Sequence, residues 1–172
     1  MSHSPRIVIT GFMGAGKTTV ACALAAHLDC QMLDLDDFIT ARTGRTPQEI
    51  IDEEGEPRFR EIETAALRQA LEQTPARAIA LGGGAWAIAD NRALVAQHNC
   101  VSVWLDAPFN LCWRRIVNAN DAARPLARDR GSAQLRYDER RQFYQLAAAR
   151  VEIKATSGVA DVVAEIVELV KR

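Results

Sequence analysis

A doubly wound α/β fold with a parallel sheet follows from three observations. Five short, mostly apolar segments recur along the chain, segments of helical periodicity separate them, and the first runs into a glycine loop that opens a helix. Strands covered on both faces by helices carry continuous apolar runs, not strict alternation. Strands alternating with helices build parallel sheets through right-handed crossovers, which bring the C-terminal ends of the strands to one edge.

The predicted strands are Arg6–Thr10, Gln31–Leu35, Ala78–Leu81, Val101–Leu105 and Val151–Ala155. Helices are expected over Thr18–Leu28, Asp37–Thr43, Pro47–Glu53 and Glu56–Gln73, then over Asn91–Gln97, Pro108–Asn118, Ser132–Ala149 and Val159–Lys171. Thr46-Pro47-Gln48-Glu49 is a capping box with proline at the first helical position. Phe59, Ile62, Ala66, Leu67 and Ala70 give the long fourth helix its apolar face. Asp90 is placed to cap the fifth. The chain of 172 residues fits one domain, with no repeat and no linker. Asn118–Ser132 is the one long irregular stretch; it is polar and basic, and reads as a mobile lid or as a solvated surface loop.

Composition excludes several classes. With 48% hydrophobic and 25% charged residues the chain is globular, and a net charge of −1 gives no bias toward nucleic acid or an anionic membrane. No apolar run approaches the roughly 20 residues that span a bilayer. The first residues lack the apolar region of a signal peptide, so a cytoplasmic location is expected. Cys22, Cys30, Cys100 and Cys112 form no C-x-x-C pair and read as buried free thiols, while the three histidines carry no ligand spacing. With no obvious exposed apolar stripe, a monomer is expected.

Chemistry is concentrated near the predicted strand ends. Gly11-Phe12-Met13-Gly14-Ala15-Gly16-Lys17-Thr18 is a complete G-x-x-x-x-G-K-[ST] phosphate loop between a strand and a helix. Its backbone N–H groups from Gly14 to Thr19 are set to cradle phosphates at a helix N-terminus, with Lys17 reaching the β/γ-phosphates and the Thr18 hydroxyl on Mg²⁺. Asp34 and Asp36 are two apart and share one face in extended chain. One carboxylate there can hold Mg²⁺ through water and the other can accept a proton; equally, Asp36 or Asp37 can cap the next helix. Gly82-Gly83-Gly84 follows the third strand and suits close approach of a ligand to backbone N–H groups, or a flexible turn. Arg60, Arg124 and Arg140 each offer a bidentate fork for carboxylate or phosphate, although any one alone reads as a surface residue.

These pieces recur in a known order. The phosphate loop through Thr19, Asp34-Leu35-Asp36, Gly55-Glu56 followed by Phe59-Arg60-x-x-Glu63, Gly82-Gly83-Gly84, Arg124-Pro125-Leu126 and Arg140 four residues before Tyr144 together resemble the shikimate kinase family over nearly the whole chain. The resemblance implies a three-layer α/β/α sandwich of the P-loop kinase type, with a five-stranded parallel sheet in the order 2-3-1-4-5. It implies ATP-dependent phosphorylation of the 3-hydroxyl of shikimate in aromatic amino acid biosynthesis, with Mg²⁺. By position, Asp36 would bind the acceptor hydroxyls and act as base, and Asp34 would place Mg²⁺ with Thr18. Arg60 and Arg140 would hold the shikimate carboxylate, with Gly82, Gly83 and Gly84 lining the acceptor. Gly14, Ala15, Gly16, Lys17, Thr18 and Thr19 would bind ATP, Arg124 would close over the phosphates from a lid at about 118–132, and Arg115 would lie by the adenine face. Residues of about 36–63 would form an acceptor-binding helical region.

The chain departs from the family pattern in places. Ile51 stands where an aromatic residue often lines the shikimate pocket, Thr40 replaces a frequent glutamate, and Ala127 a frequent second leucine. Pro57 follows Gly55-Glu56, and the region after Val151–Ala155 lacks an arginine that often borders the adenine. Two alternatives stand beside the leading reading: a kinase of another polyol acid, such as gluconate or an amino-shikimate, and a nucleotide-binding module without catalysis. Gly82-Gly83-Gly84 with Arg60 and Arg140 argues against gluconate, and intact Lys17, Thr18, Asp34, Asp36 and Arg124 argue against a silent module.

Overall fold

The structure, a computed structural model, describes residues 5–119 and 129–171. Five parallel strands, β1 (Ile7–Thr10), β2 (Met32–Asp34), β3 (Ala78–Ala80), β4 (Val101–Asp106) and β5 (Ala149–Glu152), form one sheet in the order β2-β3-β1-β4-β5. The helices are α1 (Lys17–His27), α2 (Leu35–Thr43), α3 (Pro47–Glu54), α4 (Glu56–Gln73), α5 (Ala89–Gln97), α6 (Phe109–Asn118), α7 (Arg130–Tyr144) and α8 (Val159–Val170). They flank the sheet. α1 packs on α8, and α4 packs on α2, α3 and α5. This is the expected three-layer P-loop fold.

β1 is the central strand, paired with β3 on one side and β4 on the other, and all of its residues are buried. That is why Ile7-Val8-Ile9 reads as an unbroken apolar run: a strand with helices on both faces has no solvent side to mark with a polar residue. Phe12, just beyond it, meets Tyr137 edge-on at 5.2 Å and so ties the start of the phosphate loop to α7. Thr46 accepts from the Glu49 backbone at 3.2 Å while the Glu49 carboxylate accepts from the Thr46 backbone at 2.7 Å, so the capping box forms as its sequence dictates.

Four local expectations are corrected. α5 opens at Ala89, so Asp90 lies inside its first turn and Ile88 takes the cap position without a side-chain bond. A carboxylate there still favours the helix N-terminus through the dipole. α7 opens at Arg130, capped by Asp129 on the Ser132 N–H at 2.9 Å, and closes at Tyr144, not at Ala149. The alanines at 147–149 favour a helix locally, but the Ala148 N–H bonds the Ser102 hydroxyl at 2.9 Å and Ala149 pairs with Val103, so sheet pairing overrides propensity and starts β5 two residues early. Consequently Asn118 and Arg130–Ser132, expected to be irregular, are helical; residues 120–128 of the expected stretch lie outside the described residues. Of the cysteines only Cys112 is buried, Cys30 and Cys100 are half-buried, and Cys22 faces solvent on the outer side of α1.

Candidate active site

The phosphate loop joins β1 to α1 at the C-terminal edge of the sheet. Gly16 holds the N-cap position of α1 in a left-handed conformation with no side-chain cap, so the first helical N–H groups keep their donors for an anion. Gly14 has φ +79°, and a Cβ there would sit 2.6 Å from the Cys112 carbonyl oxygen of α6. Neither the conformation nor the space admits a side chain. Gly14→Ala is therefore expected to lower unfolding stability by about 1–3 kcal/mol from backbone strain alone. An unchanged denaturation midpoint would contradict this.

Arg115, on α6, donates to the Gly14 and Ala15 carbonyls at 3.1 and 3.2 Å. It thus draws the loop's carbonyls toward α6. The Lys17 ammonium donates to the Phe12 carbonyl at 3.0 Å, across the loop. The Thr18 hydroxyl donates to Asp34 Oδ2 at 2.6 Å, and Asp34 Oδ1 accepts from the Asp36 N–H at 3.0 Å. Asp34, and not Asp36 or Asp37, is thus the cap of α2 as well as the partner of Thr18, because the helix starts one residue after it. The extended-chain argument for a shared face of Asp34 and Asp36 does not hold, because the helix starts at Leu35. Both carboxylates nevertheless reach the same cleft, Asp36 from the first turn of the helix that Asp34 caps. A hydroxyl and a carboxylate beside a phosphate-binding loop are hard oxygen donors. They suit Mg²⁺, which keeps waters and substrate phosphates as its remaining ligands. Among the described residues no cluster of three or more His, Cys, Asp or Glu could form a self-sufficient metal cage.

Beyond the loop the cleft, about 630 Å³ in volume, continues to the acceptor side. Burial, reinforced by Asp34, raises the Asp36 carboxyl from 3.8 to about 6, against the pull of Lys17 and Arg60. Gly82 passes so close that an added Cβ would lie 2.9 Å from both Asp36 Oδ1 and Glu63 Oε1. A side chain at 82 would push on both carboxylates. Glu63 is wholly buried; its Oε2 accepts from Arg60 at 2.8 Å while Oε1 has no partner among the described residues. Burial pushes the Glu63 carboxyl up, and Arg60 opposes it. Arg60 also donates to Glu56 Oε1 at 2.8 Å. Burial alone would weaken its charge, but Glu63 and Glu56 more than offset that. Arg140 differs. It is buried, its guanidinium is pulled below the usual arginine range by that burial, and no carboxylate pairs with it among the described residues.

One cleft therefore gathers Gly14, Gly16, Lys17, Thr18, Thr19, Asp34, Asp36, Arg60, Gly82, Gly83, Gly84, Arg115 and Arg140. Ala15 is buried beneath it, contributing backbone, and Arg124 lies outside the described residues. The wall also includes Met13, Thr40, Ile51, Phe59 and Glu63, to which the sequence reading gave no role in the reaction. For Glu63 a signal existed: its place three residues after Arg60 on one helix permits the ion pair that forms.

A phosphate loop feeding a hydroxyl–carboxylate pair, beside a hollow with a buried cation that has no carboxylate partner among the described residues, defines a P-loop kinase of a small anionic molecule. The shikimate kinase family model matches residues 13–171. The chain belongs to the shikimate kinase family, ATP-dependent kinases that phosphorylate a hydroxyl of shikimate. Shikimate kinase of Salinibacter ruber is 40% identical over 96% of this chain and 84% of its own. The structure of shikimate kinase from Acinetobacter baumannii in complex with shikimate superposes with a TM-score of 0.85 and 32% identity, over 97% of this chain and 93% of that one. A gluconokinase from Sinorhizobium meliloti, at 15% identity and TM-score 0.67 over 98% of this chain and 93% of that one, shares the fold alone.

Proposed function

We propose that this chain transfers the γ-phosphoryl group of ATP to the 3-hydroxyl of shikimate, with its labour divided along the cleft. The observation that carries the acceptor assignment is Arg140, a buried guanidinium without a carboxylate partner among the described residues, beside an Arg60 whose geometry two glutamates fix. A buried cation left unpaired is costly, and an acceptor carboxylate supplies its missing partner. Asp36 accepts the hydrogen bond of the reacting hydroxyl and takes its proton. A carboxyl titrating near 6 suits that task, being about nine-tenths ionised at pH 7 yet more basic than an ordinary aspartate.

On the nucleotide side, N–H groups from Gly14 to Thr19 and the Lys17 ammonium hold the phosphates. Thr18 and Asp34 would hold Mg²⁺, which would supply charge neutralisation on the phosphate oxygens. Arg124 joins them on the strength of its Arg-Pro-Leu motif, and Arg115 sets the loop's carbonyls besides its place by the adenine. Phosphoryl transfer asks little covalent chemistry of a protein, so positioning and charge stabilisation account for the rate. Holding acceptor and ATP side by side is worth up to roughly 7–11 kcal/mol. The chain is assigned as a single domain and a monomer working in the cytoplasm, with an acceptor region over about 36–63; the lid read at about 118–132 falls mostly outside the described residues, and its two ends belong to α6 and α7. Among the described residues no helix is long and apolar enough to cross a membrane.

The arginines provide the test. Arg140→Ala and Arg60→Ala are each expected to raise the shikimate KM by about 30-fold or more, since truncating a charge-assisted pair costs about 2–5 kcal/mol, and to leave the ATP KM nearly unchanged. Unchanged shikimate KM in both variants would contradict the acceptor assignment.

A further inference from the structure

We propose that Tyr144 is a positioning residue of the acceptor site, holding the Gly83 peptide and the Arg140 guanidinium in one fixed relation. Tyr144 closes α7 four residues after Arg140, so the two side chains lie on the same face of the helix. Its ring is buried and stacks on Trp104 of β4, with centroids 6.1 Å apart and planes at 29°. Its hydroxyl donates to the Gly83 carbonyl at 2.5 Å, a contact spanning 61 residues of sequence. The positive guanidinium of Arg140, one turn earlier on α7, acts on the same hydroxyl. A hydroxyl has one proton to give and lone pairs to receive. The proton of Tyr144 Oη is committed to the Gly83 carbonyl, which leaves its lone pairs for the positive guanidinium of Arg140.

Two consequences follow from this relay. A peptide unit is planar and trans, so pinning the Gly83 carbonyl also pins the Gly84 N–H, which points the opposite way. Gly82-Gly83-Gly84 lacks side chains that could hold it, and neither Gly83 nor Gly84 donates to a backbone carbonyl among the described residues. The Gly82 and Gly84 carbonyls accept from Ala85 and Ala87 at 3.1 Å each, so of the three carbonyls only that of Gly83 relies on the hydroxyl. At the same time the guanidinium of Arg140 lies against the segment, with Nη1 3.5 Å from where a Gly83 Cβ would stand. The Tyr144 hydroxyl acts on this guanidinium without neutralising its charge. Tyr144 itself does not line the cleft, so it acts through Gly83 and Arg140.

The proposal rests on the assignment of Arg140 to the acceptor carboxylate, and the test separates the two. Tyr144→Phe removes only the hydroxyl and keeps the ring on Trp104. It is expected to raise the shikimate KM about tenfold, the loss typical of a buried hydrogen bond, with kcat within about threefold and the ATP KM unchanged. Because the residue works through Arg140, Tyr144→Phe added to Arg140→Ala should raise the KM by less than the product of the two single effects. Calorimetric titration of the same variants with shikimate alone gives a second readout, independent of turnover. If Arg140→Ala weakens shikimate binding while Tyr144→Phe changes only thermal stability, the positioning role is overturned and the acceptor assignment stands. If neither substitution weakens shikimate binding, both are overturned.

Discussion

Asp36→Asn is expected to lower kcat by about 10²–10⁴-fold and, at neutral pH, to make the protein more stable. The two effects share one cause. Asparagine cannot take the proton of the reacting hydroxyl, so the step loses its base. It also carries no charge, so the fold no longer has to bury one. The carboxyl titrates near 3.8 in an ordinary setting and near 6 in the fold, which means the folded state binds its proton more tightly than the unfolded chain does. Below about 3.8 both states are protonated and nothing is lost; the penalty grows between 3.8 and about 6 and is complete above that. Its full size is on the order of 2–3 kcal/mol. Thermal unfolding at pH 8 should therefore show Asp36→Asn melting above the parent, and the gap should shrink as pH falls toward 4. A folded variant with near-parental turnover would remove Asp36 from the role of base, and a variant no more stable at pH 8 would contradict the burial argument.

Lys17→Ala is expected to have a comparable effect on rate through a different mechanism. The ammonium bridges the loop at Phe12, and the proposed role sets it against the charge that builds on the moving phosphoryl group. Removing one such donor costs about 10²–10³-fold in kcat. Lys17 also lowers the Asp36 carboxyl, against burial and Asp34. Without it, Asp36 should titrate above 6, and the acid limb of the residual kcat/KM for shikimate should move to higher pH. Turnover within tenfold of the parent would contradict the phosphate role. An acid limb left in place would show that the two groups are not coupled.

The reaction class was legible in the sequence because its demands are written in residue type. Gly14 is a glycine since its backbone is left-handed and packed on Cys112, and such a constraint admits few substitutes. Likewise α4 occupies Glu56–Gln73 as read, since its apolar face is long and its flanks are unambiguous. What the sequence left hidden were decisions made by distant contacts. Ala147–Ala149 look helical until Ser102 and Val103 draw them to the sheet. Asp34 and Asp36 look like one strand face until Asp34 caps a helix at the very next residue. Glu63 lay in plain view within its motif, but its burial and its unpaired oxygen appear only once Gly82 passes over it. Tyr144 could be seen at helical spacing from Arg140, whereas its bond to Gly83 joins segments 61 residues apart.

The central claim is that one cleft delivers phosphate from ATP to a carboxylate-bearing acceptor held by Arg60 and Arg140. It is tested most directly by ADP release from Mg-ATP with shikimate, with gluconate, and with no acceptor, run in parallel on the parent and on Arg140→Ala. Fast release is expected with shikimate as the only effective acceptor, with a raised shikimate KM in the variant. Release with gluconate equal to that with shikimate, or release indifferent to any acceptor, would contradict it.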